Sequence, residues 1–257
     1  MYSLNRCKIN ISKQTEKDLN EFSFNQSYRV ISKKKKIGNI IDKLVLEVAE
    51  SQADKQGIDL CDDNNSIEYW CKHFTAEDSQ HNLHFDKNEF ILGDITEHTI
   101  SKVNIEELFP LHTIVIYFDD IYDPFVVTNF ERNQELILRD TEDGCDIYAC
   151  SNDQPIVSYI FPSKYEIISF KGGKFLHGST SSGADLNSIF NTRRRIIAIN
   201  IWSSKYHRRR FESSDIIIDN TTIFLDEKFP LTDRTNIISS IDSKSNRNIT
   251  RYTNDKK

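Results

Sequence analysis

From about residue 65 onward the apolar residues fall in short runs of Ile, Val, Phe and Tyr, separated by clusters of Asp, Asn, Ser and Gly. Such runs read as strands, here at roughly 66–72, 81–86, 112–119, 124–130, 134–139, 146–150, 155–161, 165–170, 174–178, 195–203 and 215–225. So many short strands at short intervals predict a mainly β fold, as a sandwich, barrel or jelly roll. Before them, Ile40 to Ala53 carries Ile41, Leu44, Leu46, Val48 and Ala49 near helical spacing, which predicts one amphipathic helix. The chain therefore divides into a leader with a helical flank (1–65), a β domain (66–225) and a polar, basic stretch (226–257) expected to be a flexible tail.

Composition narrows the class of protein. With 257 residues, 38% of them hydrophobic and 28% charged, the chain can bury a core without disulfide or metal staples. Its formal charge of −6 has the wrong sign for a protein that grips a nucleic-acid backbone by overall charge. The five cysteines, Cys7, Cys61, Cys71, Cys145 and Cys150, form no Cys-x-x-Cys pair. They read as buried small residues in a reducing compartment. The polar leader lacks the apolar core of a secretory signal, and no run reaches the ~18 apolar residues of a membrane span. The expectation is a cytoplasmic protein.

Chemistry concentrates in a few places. In His81-Asn82-Leu83-His84-Phe85-Asp86, strand alternation puts His84 and Asp86 on one face,. A neutral imidazole beside a carboxylate offers two metal ligands, and His177, in a late strand running into Gly178, offers a third. Two histidines and one carboxylate have the composition of the facial triad that holds non-haem Fe(II). Arg193, Arg194 and Arg195 open the apolar strand that runs to Trp202. A guanidinium there could hold a carboxylate bidentately. Alternation sets Arg193 and Arg195 with Ile197, Ile199 and Ile201, and Arg194 with Asn200 and Trp202. In Thr113-Ile114-Val115-Ile116-Tyr117, the residues Thr113, Val115 and Tyr117 share a face, and the tyrosine hydroxyl there needs a polar partner. His73, His98 and His112 have no partner at ligand spacing.

This order of parts resembles the 2-oxoglutarate and Fe(II)-dependent oxygenases, in particular their prolyl 4-hydroxylase-like branch, over roughly residues 68–203. Tyr69-Trp70 upstream, the Lys87 that follows His84-Phe85-Asp86, Pro124 opening the strand after Tyr117, and Leu176-His177-Gly178 all fit that pattern. Asp123 stands where a glycine is common, and the 18-residue interval from His177 to Arg195 is long. The resemblance implies a double-stranded β-helix of about eight strands with the helix packed on one sheet. It implies Fe(II) on His84, Asp86 and His177, with 2-oxoglutarate held by Tyr117 and by an arginine. Arg195 is favoured among the three because a six-residue step from it reaches Ile201, where relatives carry a tryptophan. The implied activity is hydroxylation of a protein side chain or a small molecule with release of succinate and CO2, and ascorbate is an admissible accessory reductant. Asp86 favours hydroxylation over halogenation. Ile201, standing where the nucleic-acid demethylating branch tends to carry a second arginine, argues against a nucleic-acid substrate.

Two other readings compete. One is a jelly-roll binding or structural module without catalysis, in which the three ligand candidates are incidental. The other is a cupin-like protein holding Zn(II) or Mn(II), with His81 and Glu89 drawn into the ligand set.

Overall fold

Arg194-Arg195-Ile196-Ile197-Ala198-Ile199-Asn200-Ile201-Trp202 is apolar at almost every position because its strand is covered on both faces and paired on both edges,. Ile197, Ile199 and Ile201 pack into a core shared with a long helix. Ile196 points the other way, into a second core built between two sheets. The computed structural model describes residues 4–22, 24, 28–31, 39–62, 65–74, 81–87, 108–120, 124–132, 148–150, 156–179, 194–203, 231–233, 238–242 and 247–252.

In chain order the elements are β1 (Asn5–Ile9), α1 (Lys13–Glu21), β2 (Tyr28–Ile31), α2 (Ile40–Gln56), β3 (Ser66–Phe74), β4 (His81–His84), β5 (His112–Tyr117) and β6 (Phe125–Arg132). They continue with β7 (Tyr148–Cys150), β8 (Ile156–Ile160), β9 (Glu166–Phe170), β10 (Phe175–Ser179), β11 (Arg194–Trp202), β12 (Leu231–Asp233), β13 (Ile238–Asp242) and β14 (Arg247–Tyr252). One sheet runs β12-β1-β9-β5-β11-β3-β2, the other β13-β14-β8-β6-β10-β4 with β7 beside β6. Among the described residues all strand pairings are antiparallel except β14 with β8. Between β3 and β11 the chain passes back and forth between the sheets, a jelly-roll-like β-sandwich,.

The helix α2 covers the outer face of the first sheet. Ile41, Leu44, Val45 and Val48 are fully buried there, and each such side chain contributes about 1.5–3 kcal/mol on burial. Asn39 caps its start by accepting from the Asp42 N–H at 2.8 Å, and Gly57 ends it in a left-handed conformation at φ 68°,. The helix is also tied to the strands beneath it: buried Asp42 accepts from the Tyr69 hydroxyl and pairs with Arg29 at 3.1 Å.

Several elements were not legible in the chain's pattern. The helix α1 is short and polar and buries only Thr15 and Leu19. Strands β1 and β2, within the stretch read as a leader, extend the first sheet, and Arg6 of β1 forms a buried ion pair with Glu166 of β9. The stretch expected to be a tail carries β12, β13 and β14, which pair along the outer edges of both sheets. Edge pairing satisfies backbone N–H and C=O groups, so it needs no apolar run that a sequence would show. The expected strands at 134–139 and 215–225 lie outside the described residues. Cys7 and Cys71 are buried as expected, whereas Cys61 is exposed. No helix among the described residues is long and apolar enough to cross a membrane.

Candidate metal centre

Strand pairing assembles the site. In the antiparallel pair β4–β10, His84 lies directly opposite His177, so the two imidazoles are cross-strand neighbours on one face, their ring centroids 4.6 Å apart. Asp86 follows just past the end of β4, where its N–H donates to the Gly172 carbonyl at 3.1 Å. That carbonyl belongs to the tight turn Lys171–Lys174 between β9 and β10. Gly172 is glycine for a steric reason: a Cβ there would collide with Asp86 Oδ2 and the Thr113 side chain.

The three side chains converge. One ligand atom from each of His84, Asp86 and His177 can be chosen so that all lie within 4.8 Å of one another. His84 Nε2 is 3.7 Å from Asp86 Oδ1, and His177 Nε2 is 3.6 Å from Asp86 Oδ2. The His177 Nδ1 lies 2.9 Å from the Phe175 carbonyl. Because a carbonyl only accepts, Nδ1 carries the proton in the neutral ring, and the lone pair of Nε2 is aimed at the cluster. Phe170 packs edge-on against this ring at 4.6 Å. His177 is 5% exposed and Asp86 10%, while His84 is 46% exposed and faces the opening.

Asp86 is held ionised. Burial by itself would raise its pKa, but the His177 and His84 imidazoles and the Thr113 hydroxyl outweigh that and hold it far below the ordinary carboxylate range,. Thr113 Oγ1 donates to Asp86 Oδ2 at 2.6 Å and meets the Asn200 amide at 2.9 Å. A carboxylate so oriented needs little rearrangement to coordinate a cation.

The three candidates form part of the lining of an open cavity between the sheets, together with Trp70, Lys72, Thr113, Val115, Tyr117, Phe125 and Arg194. Tyr117 is buried, and its hydroxyl pKa is pushed up, chiefly by burial. Arg194 is 8% exposed, donates from Nη2 to Ser179 Oγ at 3.1 Å and lies over the Phe74 ring at 4.6 Å.

Arg195 is not brought to this cavity. It sits on the opposite face of β11, in a fork with Asp119: Nε donates to Oδ2 at 3.0 Å and Nη2 to Oδ1 at 2.7 Å. Its Nη1 reaches Asn20 Oδ1 at 3.0 Å. The reason is alternation: β11 turns residues 195, 197, 199 and 201 toward α2, and 194, 196 and 198 toward the cavity,. Trp202 donates to buried Glu68 and does not line the cavity. Arg193, Glu89 and the side chain of His81 lie outside the described residues. Reading the chain also missed Thr113 as a partner of Asp86, and Lys72 altogether; for Lys72 the signal was its place two residues from Trp70 on one strand face.

No protein-family model matches the chain, and no curated protein matches it. Among solved structures it is similar to a Pseudomonas putida prolyl-4-hydroxylase, at 9% identity and TM-score 0.36, over 79% of this chain and 93% of that one. It is similar also to an N-substituted L-amino acid dioxygenase from Burkholderia ambifaria AMMD, at 11% identity and TM-score 0.32, over 77% and 95% of the two chains. A third is apo HygX from Streptomyces hygroscopicus, at 13% identity and TM-score 0.27, over 75% and 86%. All three are distant from this chain in sequence and in superposition.

Proposed function

We propose that this chain is a 2-oxoglutarate- and Fe(II)-dependent oxygenase with a double-stranded β-helix core, acting as a hydroxylase. The observation that carries the reading is the meeting of His84, Asp86 and His177 within 4.8 Å of one another, in a cavity that also holds Tyr117 and the buried cation of Arg194. Two imidazoles and one carboxylate on one side suit a divalent metal with open positions, as in non-haem iron sites. The donors fit such an ion, because Asp86 is kept anionic and, with Nδ1 engaged by the Phe175 carbonyl, Nε2 is the His177 nitrogen that faces it.

When bound there, Fe(II) with 2-oxoglutarate supplies a two-electron oxidation by dioxygen, in which one oxygen atom enters the substrate and the other leaves in succinate with CO2. The protein's own residues bind and orient. Arg194, buried beside Ser179, offers a planar fork to a carboxylate,. Tyr117 adds a hydroxyl that burial keeps protonated and able to donate. Thr113 holds the Asp86 carboxylate in place, and the aromatic rings of Phe125 and Phe170 keep His177 dry and fixed. The cosubstrate role falls to Arg194 and not to Arg195, whose guanidinium is taken up by Asp119 on the far face.

Anaerobic titration of Fe(II) into metal-free protein with 2-oxoglutarate present tests this through the weak visible metal-to-ligand charge-transfer band. The band is expected in the wild type and in Arg195→Gln, lost in Asp86→Ala, and reached in Arg194→Gln only at 2-oxoglutarate concentrations higher by about tenfold or more, as for a lost charged hydrogen bond. A folded wild type that gives no band would refute the reading.

A further inference from the structure

One cation in the cavity has no place in the scheme above. Lys72 lies on β3 opposite Ile196, while Arg194 lies opposite Phe74 on the same strand pair, so the two cations are diagonal neighbours on one face. Arg194 is buried, whereas Lys72 and Trp70 are only half-buried, which puts them toward the opening. The Lys72 ammonium is 5.5 Å from the Trp70 ring centre and 5.8 Å from that of Phe74. Among the described residues no carboxylate lies within ion-pair distance of it. Burial lowers its pKa, the charge of Asp86 opposes that, and the like charge of Arg194 adds to it.

Asp86 is the only acidic side chain among the described lining residues, against Lys72 and Arg194. A divalent metal adds two positive charges and 2-oxoglutarate two negative ones. Counted over the described lining residues alone, one positive charge is left over, where low-dielectric walls make it count,.

We propose, resting on the oxygenase reading, that Lys72 and Trp70 form the subsite for the primary substrate, and that this substrate is a small carboxylate whose acid group pairs with Lys72 and whose apolar body lies on the Trp70 ring. The lysine is a point charge on a flexible stem, suited to an anion that enters and leaves, while the buried arginine fork suits the cosubstrate held throughout turnover. Trp70 supplies a flat apolar surface at the mouth.

The test is binding to protein loaded anaerobically with Fe(II) and 2-oxoglutarate, followed by tryptophan fluorescence and by the position of the charge-transfer band. The probes are phenylacetate and 3-phenylpropionate, each against its primary amide. The carboxylates are expected to bind at least tenfold more tightly than the amides. Lys72→Met should abolish that preference and Lys72→Arg should restore it, while the 2-oxoglutarate concentration at half-saturation stays within about threefold of wild type in Lys72→Met. Carboxylates and amides that bind equally, or no binding of either, would overturn the subsite. So would a Lys72→Met variant that weakens 2-oxoglutarate as much as Arg194→Gln does, since Lys72 would then be a cosubstrate ligand. Absence of the charge-transfer band in the wild type is a different result, because it overturns the oxygenase reading and this proposal with it.

Discussion

Gly172 and Gly173 are neighbours in one turn, and alanine at each should have the same kind of steric cost but different consequences for metal binding. A Cβ on Gly172 would press on Asp86 Oδ2 and lie 2.8 Å from Thr113 Cβ. A Cβ on Gly173 would lie 2.6 Å from Phe109 Cβ and 3.0 Å from Pro110 Cδ, and Asp86 is not among its nearest contacts. Each methyl overpacks a buried turn, at a cost of about 1–3 kcal/mol, which lowers the melting temperature of a chain this size by about 2–12 °C. Only Gly172→Ala must displace the Asp86 carboxylate and disturb the Thr113 contact that holds it. Losing that orientation should weaken metal affinity by about 10–100-fold. Thermal melts of the metal-free variants measure the first effect, and anaerobic Fe(II) titration with a competing chelator measures the second. Similar losses of stability with metal binding weakened only in Gly172→Ala would bear the reasoning out. If both variants keep wild-type metal affinity, or both lose it equally, the turn does not position a ligand.

Other outcomes follow from single contacts. Thr113→Val removes the hydroxyl 2.6 Å from Asp86 Oδ2 and should lower metal affinity by about tenfold. Thr113→Ser should retain it, and the same chelator competition separates the two. His112 is buried at the start of β5 with neither ring nitrogen hydrogen-bonded among the described residues. Its pKa is pushed down to about 4, by burial first and then by Lys171. The unfolded chain binds this proton near pH ~6.5, so the folded state is favoured fully above that value. The advantage fades as pH falls toward the folded pKa, by about 3 kcal/mol in total. Urea unfolding from pH 7 to pH 4 should show this loss in the wild type, and His112→Leu should remove it. Equal slopes in the two proteins would show that His112 is not buried neutral.

The periodicity of the chain was enough to place most of the sandwich. A strand expected at 66–72 runs Ser66–Phe74, one at 112–119 runs His112–Tyr117, one at 165–170 runs Glu166–Phe170, and the helix expected over 40–53 runs Ile40–Gln56. Period-two and period-3.6 spacing are local properties that burial of one or both faces imposes on the residues themselves. Thr113, Val115 and Tyr117 on one face were likewise readable from alternation; His84 and Asp86 were expected together on the same ground, but the strand ends at His84, and Asp86 lies just beyond it, held by the Gly172 carbonyl.

What the sequence could not decide is which face of a strand meets which neighbour. Alternation already separated Arg194 from Arg195, but both faces of β11 are apolar, one toward α2 and one toward the second sheet. Nothing local tells these two cores apart, and the arginine that reaches the cavity is fixed only when the strand is paired with β3 and β5. The same holds for the meeting of His177 with His84 across β10 and β4, and for the turn carbonyl of Gly172 that holds Asp86. The edge strands of both termini were hidden for a related reason: they join through backbone hydrogen bonds, which every sequence carries and none advertises.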